Sequence, residues 1–199
     1  MRFHLLGMFT QPKKEWLEIR NENESIRHAY FTRILFLAAI TPLCAYYGTT
    51  QVGWVVGNGD AVKLTTASAL PLTVLSYLAM LLGVAIMGAF IHWMARTYDA
   101  KPTIAQCVVF AAYTCSPLFV AGLAALYPNI WLAMLAGTLA VCYSVYLLYV
   151  GIPIYMNIPE EEGFFYASSI LAIGLVVLVS QSAMSVILWG IGIGPVYTS

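Results

Sequence analysis

Charge is what this chain lacks. Nine of its 199 residues are Lys or Arg and nine are Asp or Glu, so charged side chains make up 9%, against about 25% in an ordinary soluble domain. The shortage is concentrated. Residues 102–159, 58 positions in a row, hold no Asp, Glu, Lys or Arg. A water-soluble domain would have to bury that whole run with no charged residue to face solvent. The two signs cancel, so no net field steers the chain to nucleic acid. The four cysteines, Cys44, Cys107, Cys115 and Cys142, all fall in apolar runs and form no C-x-x-C pair. That spacing argues against a disulfide framework or a zinc site and leaves them as small buried side chains. Paired intramembrane carboxylates, H-E-x-x-H, Gly-x-Ser-x-Gly and a Ser-His-Asp order are missing too. An enzyme is not supported, and no cofactor or metal is expected. The first apolar run begins near Phe31, behind about 30 mostly polar residues, so no cleavable signal peptide is expected.

What is present is hydrocarbon: 61% hydrophobic residues and a mean hydropathy of +0.81. A lipid-spanning helix needs roughly 20 apolar residues to cross about 30 Å of hydrocarbon. The charge-free run is long enough for two crossings, with Tyr127-Pro128-Asn129 at the reversal. Extending this reading along the chain gives an all-α integral membrane protein with five transmembrane helices, spanning about 31–48, 70–93, 104–126, 130–153 and 167–189. Two parts result: a cytoplasmic amphipathic segment over 1–29 and a five-helix membrane domain over 30–199.

In the first part, Thr10-Gln11-Pro12 reads as a helix start. Trp16, Leu17 and Ile19 then make an apolar patch beside basic residues. Such a helix lies on the membrane surface or packs on the rest of the protein; the interfacial reading is the one adopted. Residues 21–25 break it, and Arg33 snorkels at the start of the first span. In the connection 49–66, Gly57-Asn58-Gly59-Asp60 between β-branched runs predicts a small extracytoplasmic hairpin. Pro71 is expected in the first turn of span two, and His92 and Trp93 at its interfacial end. Ala133, Gly137 and Ala140 predict a tight packing face on span four.

Orientation follows from the basic residues. With the N-terminus inside, Arg2, Lys13, Lys14, Arg20, Arg27, Arg33, Arg96 and Lys101 are cytoplasmic and only Lys63 is outside. The positive-inside rule therefore predicts N-in, C-out.

By these boundaries no ionisable residue lies deep in a span, which weakens the case for a proton-coupled pump. The deep polar groups are neutral. Tyr113-Thr114-Cys115-Ser116-Pro117 is the richest cluster. Pro117 cannot donate to the carbonyl of Tyr113, and Thr114 and Ser116 can re-satisfy the local backbone. The cluster either lines a polar cavity, with Tyr113, Ser116, Pro117, Tyr143 and Gln181 as its residues, or serves as a packing device. Gln181 is the costliest isolated group and is expected to face the bundle, towards span three. Glu160, Glu161 and Glu162 could form a cytoplasmic charge cluster with Arg96 and Lys101, or a cation site with His28 or His92. A solvated face is the plainer reading.

The order of these features is familiar: Pro12-Lys13-Lys14-Glu15-Trp16, five spans, Tyr113-x-x-x-Pro117 in the third, and Gly151-Ile152-Pro153 ahead of an acidic loop. Four stretches carry the likeness: Gly48-Thr49-Thr50-Gln51-Val52-Gly53-Trp54, Trp93-Met94-Ala95-Arg96, Ala125-Leu126-Tyr127-Pro128 and Tyr149-Val150-Gly151-Ile152-Pro153. The chain resembles the Yip family of membrane proteins over nearly its whole length. That resemblance implies a membrane role without catalytic residues; eukaryotic members are linked to membrane traffic and small GTPases. Two functions are therefore expected. One is a non-enzymatic protein that organises the membrane or scaffolds partners. The other is a passive carrier or channel for a small solute or lipid. The expected partners are the lipid bilayer and other proteins or further copies of the chain, not nucleic acid.

Overall fold

The computed structural model describes residues 4–22, 34–55, 61–192 and 194–198. Two short helices, α1 (His4–Thr10) and α2 (Pro12–Glu22), precede α3 (Leu35–Tyr47), which runs on into a π-helical turn, Gly48–Val52. A two-stranded hairpin, β1 (Trp54–Val55) and β2 (Ala61–Val62), leads to four long helices: α4 (Thr66–Ala95), α5 (Ile104–Ala121), α6 (Ile130–Met156) and α7 (Glu160–Gly190). Counting the 3₁₀ turns that extend α4 and α5, these four have 33, 23, 27 and 31 residues and are apolar enough to cross a membrane. The protein is thus an all-α membrane protein. α3 has only 13 residues, and the expected start of its span at 31–33 lies outside the described residues, as do the Asn-Gly turn, Arg33 and most of the break at 21–25.

α5 and α6 start at 104 and 130, where spans three and four were expected to begin. α4 starts four residues before 70, α6 runs three past 153 and α7 starts seven before 167, and local side chains set these helix ends. Thr65 accepts a hydrogen bond from Ser68 N and starts α4 at Thr66. Pro71 therefore lies in the second turn rather than the first. A capping box between Thr103 and Gln106 starts α5, and the Asn129 side chain caps α6 through Trp131 N and Leu132 N. α6 continues past Pro153 until Asn157 turns left-handed at φ 55°. α7 begins at Glu160, not near 167, and its three glutamates occupy the first turn, where the helix dipole favours negative charge. Pro117 behaves as its chemistry requires. The Tyr113 carbonyl it leaves without a backbone donor accepts from Ser116 Oγ at 2.6 Å.

Two ends of the bundle are distinct. At the end where α4 finishes and α5 begins, Tyr98 stacks on Tyr166 at 4.7 Å and the Tyr166 hydroxyl donates to Ile91 O. Tyr149 and Ser168 share a 2.8 Å hydrogen bond there. α2 belongs to this end. Trp16 is wholly buried against Phe110, Tyr113 and Tyr155, with ring centroids 4.6, 6.4 and 5.7 Å away. Its ring rests on Gly151, where an added Cβ would come within 2.6 Å of it. Arg20 donates to Ile154 O at 3.2 Å and Asn157 Oδ1 at 3.1 Å, so α2 covers the bare carbonyl end of α6. The apolar face of this segment, expected to meet lipid, is spent on the protein: Met8, Trp16 and Ile19 share one core with α4–α7, while Leu17 stays exposed.

The opposite end holds the hairpin, with Trp54 paired to Val62 and Val55 to Ala61. The C-terminal tail joins it. Thr65 N donates to Val196 O, Thr198 N donates to Lys63 O, and Tyr197 packs edge-on to Trp54. Nothing in the tail's composition announced that pairing.

Candidate functional site

The residues expected to share a polar cavity do not meet. Tyr113, Ser116 and Pro117 are buried in α5, with Ser116 bonded inside its own helix. Tyr143 on α6 donates to Met8 O at 2.8 Å and stacks on Phe9 at 5.1 Å, so it serves the N-terminal helices. Gln181 does face the bundle, but toward α4 rather than α5: its Nε2 donates to Ala79 O at 2.8 Å and stands over Gly83. Of the five, Gln181 borders two cavities. Successive helical residues turn by about 100°, and the polar types in Tyr113–Pro117 therefore face several directions at once.

Two cavities border Gln181. The first, about 290 Å³, lies among α4, α5, α6 and α7. Thr114 and Ser144 line it, each one residue on from an expected site residue. Thr114 donates to Phe110 O at 2.9 Å, and the Ser144 hydroxyl is buried with no hydrogen-bond partner. The second, about 780 Å³, runs between α3, α4 and α7. Met80, Val177, Leu178 and Gln181 border both, so the two meet along the seam between α4 and α7. The walls are mostly hydrocarbon, but the second cavity carries six aliphatic hydroxyls, of Thr49, Thr73, Ser76, Ser180, Ser182 and Ser185, besides the Tyr46 phenol and the Trp189 indole. The pattern along a single helix does not show this convergence: Ser180, Ser182 and Ser185 come from α7, Thr73 and Ser76 from α4, and Thr49 from the π turn after α3.

Exposed aromatic side chains mark where a bilayer sits. One belt comprises Phe90, Trp93, Tyr146, Phe164 and Phe165; the other comprises Tyr47, Tyr127, Trp131 and Trp189. Trp131 and Tyr146 are 15 residues apart on α6, about 22 Å, and Phe165 and Trp189 are 24 apart on α7, about 36 Å, which brackets a hydrocarbon core of about 30 Å. Both cavities fall between the belts. The second has its mouth at the hairpin-end belt, where Tyr46 and Trp189 line it.

The expected charge cluster is dispersed along one end. Arg96 lies in a 3₁₀ turn, Lys101 precedes the α5 cap, and Glu160, Glu161 and Glu162 open α7, all exposed. Among the described residues no ion pair joins those cations to the glutamates; the pair seen is Lys14–Glu18, at 3.9 Å. His92 Nδ1 lies 3.1 Å from Pro102 O, and His28 falls outside the described residues.

Comparison with known proteins now adds to this geometry. A Yip1 domain model matches residues 6–181. Two curated relatives, both called inner membrane protein YohC, come from Escherichia coli strain K12 and Escherichia coli O6:H1 strain CFT073. Each is 51% identical over 189 residues, covering 95% of this chain and 97% of the relative. No solved structure matches the chain. With a family model covering most of its length and relatives alike from end to end, the chain belongs to the Yip1-domain family and is a multi-pass inner-membrane protein.

Proposed function

We propose that this protein is a non-enzymatic organiser of the inner membrane that acts through lateral contacts with lipids or membrane proteins. One observation carries the reading. The deep polar groups Ser116, Tyr143 and Gln181 are each spent on a separate backbone carbonyl, and the α4 and α7 hydroxyls lining the second cavity beside Gln181 bond back within their own helices. An aqueous path would need polar groups free to hold a solute in transit. Catalysis would need a nucleophile or acid–base pair in mutual reach; the buried titratable side chains of the described core are phenols and thiols.

The topology belongs to the same proposal. α3 with its π turn gives 18 consecutive helical residues, 35–52, about 27 Å, close to the thickness of a hydrocarbon core. Five spans then set the termini on opposite faces, with α1–α2 cytoplasmic and the hairpin outside, as the eight-to-one split of basic residues demands. Reporter fusions at each terminus should read opposite sides; the same side for both removes the five-span arrangement.

Purified protein in liposomes should not raise the permeability to small solutes above that of protein-free vesicles. Saturable solute flux would instead favour the passive carrier, a second reading that the cavity around Ser144 supports.

A further inference from the structure

We propose that the last three turns of α7 pair with the same turns of a second copy of this chain, with Gln181 at the two-fold axis. This deepens the lateral-contact reading above by naming its partner, and rests on it. The starting point is a surface that a purely lipid-facing helix has no use for. Residues 178–187 of α7 are exposed on every side, ten in a row, or nearly three turns. Four of the ten, Ser180, Gln181, Ser182 and Ser185, are polar. The start of α6 is as open over 130–135, yet it holds no Ser, Thr, Asn or Gln. The two surfaces are equally bare and differ in chemistry: that of α6 suits acyl chains, and that of α7 carries hydrogen-bonding groups.

Depth decides what can answer those groups. Gln181 is 8 residues from Trp189 and 16 from Phe165, about 12 and 24 Å from the two aromatic belts. At that level there is no water, and acyl chains neither donate nor accept hydrogen bonds. The serines ask little, because Ser180, Ser182 and Ser185 donate to Val176 O, Leu178 O and Gln181 O of their own helix. Gln181 asks more. A carboxamide has two N–H donors and an oxygen with two lone pairs. One N–H goes to Ala79 O at 2.8 Å; among the described residues the other N–H and Oε1 meet no partner. Another carboxamide satisfies both at once, accepting through its oxygen and donating through its nitrogen. In this chain Asn129 and Asn157 end α6, Gln106 caps α5 and Gln51 lies in the π turn, so the carboxamide at hydrocarbon depth is Gln181 itself. A two-fold axis along the membrane normal keeps both copies in the same orientation, brings Gln181 onto its own counterpart and makes the two bonds reciprocal. The surroundings are self-complementary in the same sense. Serine lone pairs accept, while the Tyr46 hydroxyl and the Trp189 indole N–H at the mouth of the groove donate. Ser182 and Ser185 are also small enough to let two helices approach closely, as interfaces in lipid require.

The test is disulfide cross-linking of the full chain in membrane vesicles. Cys142→Ala first removes the exposed native thiol, the other three cysteines being buried or half-buried. On that background Ser182→Cys or Ser185→Cys, oxidised with copper phenanthroline, should give a covalent dimer, and Leu135→Cys on the open face of α6 should not. Purified Ser185→Cys protein diluted with lipid should lose the cross-link at a midpoint that Gln181→Leu shifts about three- to tenfold toward the monomer, the worth of one or two membrane hydrogen bonds. Gln181→Asn should restore part of that shift. Gln181→Leu also cuts the tie to Ala79 O, so Ser182→Ile supplies a second reading. It spares that tie, should leave helical circular dichroism as in the parent, and should abolish the cross-link from Ser185→Cys by blocking close approach. A chain that stays monomeric at every lipid ratio, equal cross-linking through Leu135→Cys, a midpoint that Gln181→Leu leaves in place, or a cross-link that survives Ser182→Ile overturns the proposal. So does a Ser185→Cys product in native membranes that joins a different protein and no second copy. Solute flux from an intact dimer would remove the lateral-contact reading and spare the interface; a monomer without flux would remove the interface alone.

Discussion

The two halves of this bundle solve the same problem with different means. At the α2 end, aromatic side chains interlock: Trp16, Phe110, Tyr155, Tyr98 and Tyr166 are buried or nearly so and touch ring to ring. The buried residues of α7, Gly163, Tyr166, Ala167 and Ile170, all fall in its first third, and those of α6 run from Ala140 to Met156. Toward the hairpin the same helices splay. From Leu175 onward α7 exposes most of its side chains, and the start of α6 exposes Ile130, Trp131, Met134 and Leu135. That half is held where α3 packs closely on the end of α5, with Gly48 against Ala125 and Gly122 against Thr41, while α7 there is held by polar ties, Gln181 to Ala79 O among them, and the tail pairs with Lys63 and Thr65. In lipid there is no hydrophobic gain from helix contact, so the α7 side of that half, which lacks interlocking shapes, stays open to the bilayer. The packed half sets the shape, and the open half is where a lateral partner can enter.

The largest test of that contrast is Trp16→Ala. It empties a socket floored by Gly151 and walled by Phe110, Tyr113 and Tyr155. Loss of a buried tryptophan should cost about 3–5 kcal/mol. Thermal unfolding in detergent should fall sharply, and residues 4–22 should become protease-sensitive. An unchanged melting temperature would mean that α2 is not part of the core.

Gly151→Ala comes next. Its Cβ would sit 2.6 Å from Trp16 Cε2 and 2.8 Å from Phe110 Cε2, against rings held from several sides. Overpacking should destabilise the protein by about 1–3 kcal/mol. Combining it with Trp16→Ala should recover part of that loss, because the clash disappears with the ring; strictly additive effects in the double variant would show that the two do not touch.

Gln181→Leu probes the open half. Membrane hydrogen bonds average about 0.6 kcal/mol, so the global melting point should move little. The effect should be local: faster amide exchange in the last three turns of α7 and none near Tyr166. Faster exchange at both ends would mean that the halves are not independent.

How much of this was legible beforehand follows the same division. The long apolar helices were legible because charge is excluded from hydrocarbon, and the run 102–159 shows that exclusion. The helix ends lie one to two turns beyond the expected span ends at three places because side-chain caps, a left-handed asparagine and the residues after a proline, not hydropathy, decide them: Thr65, Asn157 and the glutamates after Pro159. The rescue of the Tyr113 carbonyl by Ser116 was legible, being local chemistry next to a proline. The cavity walls were not. Residue type picked out Tyr113 and Tyr143, whereas facing direction selects Thr114 and Ser144. The hydroxyl groove needs three helices at once, and no pattern along one of them shows it.

The smallest effect sharpens the contrast most. Gly137 belongs to the Ala133–Gly137–Ala140 stripe that the sequence marks as a packing face, yet a Cβ built on it meets nothing within 4 Å. Ala133 is exposed and only Ala140 is buried. The stripe therefore crosses from the open half into the packed one. Gly137→Ala should leave monomer stability within about 0.5 kcal/mol of the parent, or raise it slightly through helix propensity. The same substitution at Gly151, 14 residues and about 21 Å further along α6, should be costly. If both were neutral, the packed half would be looser than its ring contacts indicate. If both were costly, something must close on Gly137 in the membrane, and a neighbouring helix packed on the open half would be the first structure to seek.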